Sequence, residues 1–317
     1  MRKEIVFSRK GYCQNDLPVF GYHFGKGELS ACIVGALRGN EIQQLYVCSQ
    51  LVKKLKELEE RGAIVSNNEI LVIPSADPAA INIETNIETR FRAVEDRDMN
   101  PMFPGREQDE TGQGIAAGLF EVVKRYSYGI QFTGCYMEGD WIPHVSMMEN
   151  GGLPPSLANL FGLPYVVIRK PRTCDCDAAA LNFNGQNWNS SVFSLYTHAA
   201  DRIDEEAARQ AVASVLRFLT RMGMIRYISH SGYNASVIRE DDLMNVITDK
   251  AGICRQLARP GVEVHRGEVL AEILDPYEGE VTSRILSPTD GIVFFAHNAP
   301  LEPEGAVAFK IIRRLHE

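Results

Sequence analysis

The sequence predicts an α/β protein with a small all-β domain at its C-terminal end. Two observations predict it. Apolar runs of strand length alternate with helix-period segments over the first two thirds of the chain, and from residue 251 onward there are short strands separated by Gly and Pro turns. The composition changes near residue 229, which places the domains at 1–228 and 229–317.

Residues 31–37, ACIVGAL, are continuously apolar, as in a strand buried on both faces. Ile42, Leu45, Leu51, Leu55 and Leu58 then follow helical spacing, and Arg61-Gly62 ends the helix because Gly accepts the left-handed backbone of a helix terminus. Residues 69–74, EILVIP, are a second buried strand. Residues 75–114 show little periodicity and are rich in Asn, Asp, Glu, Arg and Pro. Ordered loops of that length tend to carry function. A helix over 115–126, a strand over 128–133, a loop over 135–148, a short helix over 155–161 and strands over 165–168 and 191–196 follow.

Asp204 is the expected N-cap of the last helix. Glu205 and Glu206 stand in its first turn, and Ala207, Ala211, Val215, Leu219 and Met222 form one apolar face. This order of elements implies a mostly parallel or mixed sheet flanked by helices, whose ligands bind at the C-terminal strand ends. Arg38, Phe132 and Thr197 fall at such ends. Near the C-terminus, GVEVHRGEVLAEILD and SPTDGIVFFAHNAPLEPEGAVAFKII each read as strand, turn, strand. The pattern resembles the barrel-sandwich module of biotinyl and lipoyl carriers. Those modules present a modified Lys at a hairpin tip, whereas here only Lys250 and Lys310 lie past residue 245, and Lys310 falls within the last strand. The expected role is therefore that of a packing or lid domain, not a swinging arm.

Of the 317 residues, 45% are hydrophobic and 23% charged, with a net charge of -8. The acidity argues against nucleic acid as a partner. No apolar run reaches the length of a membrane span, and the N-terminal segment lacks a signal-peptide core, so no membrane partner and a cytoplasmic location are expected. Seven scattered cysteines do not form a disulfide framework, and Cys174-Asp175-Cys176 is too tight for a CxxC motif.

The motifs run in a familiar order. LRGNE stands at 37–41, IPSADPAAINIETNIETR at 73–90, DMNPMFPG at 98–105, YGIQFTG at 128–134 and VFSLYTHA at 192–199. In that order they resemble the succinylglutamate desuccinylase and aspartoacylase family, relatives of the zinc carboxypeptidases. The resemblance covers nearly the whole chain and implies a zinc carboxypeptidase-like fold. It also implies an ancestral activity: metal-dependent hydrolysis of an amide or ester in a small acidic N-acyl compound. It further implies zinc held by the His and Glu of H-G-N-E and the His of D-L-H, with one position open to water. Carried over, those positions are Arg38, Glu41 and Phe132. Arg does not deprotonate and Phe has no ligand atom. The family's general base falls near Thr197 or His198, neither a carboxylate. The Arg of D-x-N-R, which grips substrate carboxylate in relatives, is Pro101 here, while Arg90, Asn100 and the turn 103–105 remain.

The expectation is a divergent member without zinc that binds a small carboxylate ligand. Arg38 ion-pairs with Glu41 three residues on and supplies a fixed positive charge. Arg90 and Asn100 add contacts, and His144 of WIPHV, matching a Pro-His that is not a zinc ligand in relatives, lines the pocket. Three alternatives stand beside this one. The first is an active metal-dependent deacylase with unusual ligands drawn from Cys135, His144, Cys174, Cys176, His198 and Glu41. The second is metal-free catalysis by Cys135 or Cys174 with His144 or His198 as base. The third is a structural partner of an active paralogue. A homo-oligomer is compatible with all of these.

Overall fold

The computed structural model describes residues 1–10, 16–77, 103–105, 112–133, 139–149, 153–170, 181, 191–198 and 202–314. They divide into two compact units. The first runs from the N-terminus to Val237, and the second combines a short strand at Asp140–Trp141 with the chain from Ile238 onward.

The first unit is built on a mixed sheet. Its elements are β1 (Arg2–Lys10), β2 (Asp16–Gly25), β3 (Gly27–Ala36), α1 (Ile42–Glu60), β4 (Asn67–Ser75), α2 (Gly112–Val123) and β5 (Tyr128–Thr133). After β6 (Asp140–Trp141) come β7 (His144–Met148), α3 (Pro155–Asn159), β8 (Tyr165–Arg169), β9 (Ser191–Tyr196), α4 (Glu205–Arg221) and β10 (Ser236–Arg239). The strand order is β1-β2-β4-β3-β5-β9-β7-β8-β10. The pairs β4–β3, β3–β5, β5–β9 and β7–β8 are parallel; β1–β2, β2–β4 and β9–β7 are antiparallel.

Two structural differences from the sequence reading concern strands. β1 and β2 add an antiparallel hairpin at one sheet edge, and residues 144–148 form the fully buried β7 where a loop is expected. The RKEIVFSRK segment of β1 is mostly exposed and charged, so it carries little hydrophobic signal. β7 is five residues long, and its apolar Val145 and Met147 alternate with His144 and Ser146, which breaks the continuous apolar signal of a buried strand.

The helices form close to where the sequence places them, except that α2 runs from Gly112 to Val123 and not over 115–126, and Ile42, expected on the apolar face of α1, is exposed. α1 turns Val47, Cys48, Leu51, Leu55 and Leu58 onto the sheet. Gly35 lets it approach β3: a Cβ there would lie 2.8 Å from Cys48 Sγ and 2.3 Å from the Pro74 carbonyl oxygen. The helix ends in a Schellman motif. The Ala63 amide donates to the Leu58 carbonyl and the Gly62 amide to the Glu59 carbonyl, with Gly62 at φ +67°.

α4 is capped as its sequence demands. Asp204 accepts hydrogen bonds from the Glu206 and Ala207 amides, each at 3.0 Å. Asp204→Ala is expected to cost about 1 kcal/mol of stability, read as a lower urea midpoint at an unchanged m-value. An unmoved midpoint would show that the cap contributes nothing.

The second unit holds β11 (Leu243–Ile247), β12 (Gly252–Gln256), β13 (Glu263–Val264), β14 (Val269–Leu274), β15 (Val281–Leu286), β16 (Gly291–Ala296), β17 (Leu301–Glu302) and β18 (Val307–Arg313). One sheet has the order β11-β18-β16-β13, joined by β6 through β16; the other is β15-β14-β12-β17. Between them lies a core that includes Leu270, Ile273, Val293, Phe309 and Ile311. Lys310 is 6% exposed, 3.7 Å from Glu240 and stacked over Trp141, so it is an interior group and not a displayed arm. Among the described residues no helix is long and apolar enough to cross a membrane.

Candidate functional site

The sheet brings four adjacent strands to a common end, where the turn after β3, the end of β5, the end of β9 and the start of β7 lie side by side. Register fixes the neighbours: Val34 pairs with Gln131, Thr133 with Tyr196, and Tyr196 with His144.

The turn after β3 carries Arg38 and Glu41. Glu41 is 3% exposed, and its carboxylate folds back over the turn. Oε2 accepts hydrogen bonds from the Leu37 amide at 2.8 Å and the Arg38 amide at 3.2 Å. Oε1 lies 3.9 Å from Arg38 Nη1, at the outer limit of an ion pair. Glu41 is also the N-cap residue of α1, yet its side chain makes no capping bond and no acidic residue stands in the first turn. The carboxylate therefore orders the backbone that bears Arg38. The second residue of the helix, Gln43, holds the Asp204 backbone on both sides: its Nε2 donates to the Asp204 carbonyl and its Oε1 accepts from the Asp204 amide, each at 2.9 Å. The N-termini of α1 and α4 are tied together there.

Strand alternation sorts the remaining positions. Phe132 is wholly buried and lies with Leu195 and Val145 in the apolar core beneath α1 and α4. Its neighbours Gln131 and Thr133, 2% and 5% exposed, belong to the opposite face of the sheet, as do Tyr196 and His144. His144 stacks on Tyr196 with centroids 4.5 Å apart and rings 6° from parallel, and Arg169 Nη1 donates to Tyr196 Oη at 3.4 Å. Thr197 is buried just past this pair and His198 is half-buried. Thr133, Tyr196 and Arg169 were not singled out by the sequence reading. Their signal is the period-2 pattern: with Phe193 and Leu195 facing one core, Ser194 and Tyr196 must face the other way.

The structure thus brings the Arg38–Glu41 turn, Thr197, His198 and His144 to one end of the sheet and sets Phe132 in the core. Arg90, Asn100, Cys135, Cys174 and Cys176 lie outside the described residues. Of the 103–105 turn, Phe103 is buried and Gly105 sits at φ +82°. A groove of about 400 Å³ between α1 and α4 is lined by Tyr46, Lys53, Val212, Leu216 and Tyr227.

Among the described residues no group of three or more His, Cys, Asp and Glu side chains is arranged to hold a metal ion. At the turn after β3 the Arg38 guanidinium is a cation with no lone pair to give, and one Glu41 oxygen already accepts from two backbone amides.

Cys32 and Cys48 are fully buried, and burial pushes both thiols far above their ordinary range; each also lies near the other. Cys254 is half-buried and is raised to about 11 by burial and by Glu302. A raised thiol pKa means less thiolate at a given pH. In native protein treated with iodoacetamide at pH 8, peptide mapping should find Cys32 and Cys48 unlabelled and Cys254 labelled slowly. Rapid native labelling of Cys32 would contradict the packing of β3.

The fold defines a class: a mixed-sheet α/β unit with additional β-sheets toward the C-terminus. Residues 28–126, the stretch that holds β3, the Arg38–Glu41 turn, α1 and β4, match the succinylglutamate desuccinylase/aspartoacylase catalytic-domain family. Solved structures share the fold over nearly the full length. A succinylglutamate desuccinylase/aspartoacylase from Rhodobacter sphaeroides is 19% identical with a TM-score of 0.75, covering 96% of this chain and 91% of its own. An aspartoacylase family protein from Mesorhizobium loti is 18% identical at TM-score 0.76, with 97% and 93% covered. The product-bound ectoine utilization protein EutE (DoeB) from Ruegeria pomeroyi is 14% identical at TM-score 0.76, with 96% and 92% covered. Among curated proteins no sequence match is found.

Proposed function

We propose that this chain binds a small carboxylate, of the N-acyl amino acid type, at the strand-end turn, using the Arg38 guanidinium and no resident zinc. The observation that carries the reading is the geometry of that turn. Glu41 fixes the backbone of residues 37 and 38 from beneath, and Arg38, 18% exposed in its side chain, keeps a cation within reach of solvent at the place where the family's fold carries its metal ligand. A guanidinium attracts and orients a carboxylate through paired N–H donors but cannot polarise water as a Lewis acid does. The buried Thr133, Tyr196 and His144 then supply hydrogen-bonding and aromatic surface beside it.

The test is calorimetric titration with N-acetylaspartate and with succinate in the presence of chelator. Saturable binding is expected, weakening with salt. Arg38→Met is expected to lower affinity roughly tenfold or more, the worth of one charge-assisted hydrogen bond. About one zinc per chain by mass spectrometry, or chelator-sensitive release of acetate from the N-acyl compound, would overturn the reading in favour of an active metal-dependent deacylase. Absence of binding to either probe, with no metal, would favour a structural partner of an active paralogue.

A further inference from the structure

The four-stranded sheet of the second unit presents an outer face with a definite layout. Cross-strand partners in an antiparallel sheet share a face. Leu301 pairs with Ile253, Ile253 with Leu274, and Leu274 with Val281, so these four form one apolar row across β17, β12, β14 and β15. Leu301, Ile253 and Val281 are 62%, 36% and 43% exposed.

Charge is arranged on either side of that row. One step along the strands toward the far end lies Arg255–Glu272–Arg284: both guanidinium groups contact the one carboxylate, which leaves a net positive charge there. On the other side is the β14–β15 hairpin tip, Asp275-Pro276-Tyr277-Glu278-Gly279-Glu280, which is acidic. That tip is a fixed turn. Asp275 Oδ1 accepts from the Tyr277 and Glu278 amides at 2.8 and 2.9 Å, and the Asp275 amide donates to the Glu280 carbonyl at 2.8 Å. Tyr277, at its apex, is 96% exposed.

From tip to far end the face therefore reads acidic, apolar, basic. A two-fold rotation about an axis along the apolar row reverses that order. It sets the acidic tip of one copy over the basic row of another, with the two apolar rows in contact. We infer that this face is the docking surface for a second copy of the same chain, in an isologous two-fold dimer. A tyrosine presented on a rigid turn suits such a contact, since a large ring buries area at small entropic cost. Four strands at ~4.8 Å spacing give a face about 19 Å wide, a small footprint that suits a reversible, concentration-dependent dimer.

Sedimentation velocity on the full chain, from about 1 to 200 μM, tests this. A concentration-dependent monomer–dimer equilibrium is expected. Glu278→Arg and Arg284→Glu, taken singly, should each weaken it at least tenfold, and the double reversal should recover most of the loss. That recovery would not follow if either variant had merely misfolded. Leu301→Glu, at a largely exposed position, should also leave monomer. Monomer at every concentration overturns the inference, as does a dimer indifferent to all of these substitutions.

Discussion

Glu41→Ala is expected to destabilise the protein by about 2–4 kcal/mol. The side chain is almost wholly buried, and one of its oxygens is the acceptor for both the Leu37 and Arg38 amides. Truncation leaves the buried Leu37 donor without this partner, and an unmade buried hydrogen bond costs about 1–3 kcal/mol. It also removes the negative charge beside Arg38. Glu41→Gln keeps an acceptor oxygen in the same place and should cost about 1–2 kcal/mol. Urea unfolding followed by circular dichroism measures both. A Glu41→Ala loss under about 0.5 kcal/mol, the size of a neutral surface change, would mean the turn holds without its carboxylate. On the proposed function the same variant weakens carboxylate binding as well, because Arg38 is no longer set by an ordered backbone. Glu41→Gln should retain most of the binding, which separates the positioning of Arg38 from the charge of Glu41.

Phe218→Ala should cost about 3–5 kcal/mol, the range for emptying a packed aromatic site. Phe218 sits on the inner face of α4 at zero exposure. Its ring stacks on Phe161 at 4.3 Å and 10°, and meets Tyr128 and Phe193 edge-on at 5.4 and 5.8 Å. Those partners come from β5, β9 and the chain just beyond α3, so one ring joins three elements that are distant in sequence. The residual cavity cannot close by moving a single side chain. For a unit of this size the loss corresponds to a fall in Tm of the order of 10 °C. Phe218→Leu should recover a large part of it, since most of the volume returns. If Phe218→Ala melts within about 2 °C of the parent, the aromatic cluster is not the tight contact described.

What was legible in the sequence follows from how local each signal is. The Asp204 cap and the Gly62 terminus each depend on a few consecutive residues, and both sit where the sequence places them. The apolar faces of α1 and α4, and the strands at 128–133 and 191–196, needed only periodicity and length. The motif order along the chain was enough for the fold, because the family's sequence signature covers the β3–α1–β4 segment itself.

The sequence by itself determined the α/β class and the ends of α1 and α4. Only the tertiary structure decided which face each strand residue takes and what lies beside it. Phe132 and Thr133 are adjacent in sequence, yet one completes an aromatic and aliphatic core and the other shares a face with Tyr196 and His144. A one-residue change of register exchanges those fates, because side chains in a strand alternate with period two. The His144–Tyr196 stack, the Gln43 hold on Asp204 and the pairing of β6 with β16 join residues 52, 161 and about 155 positions apart. No local pattern encodes such contacts; they arise when sheet pairing and core burial bring distant segments to one place.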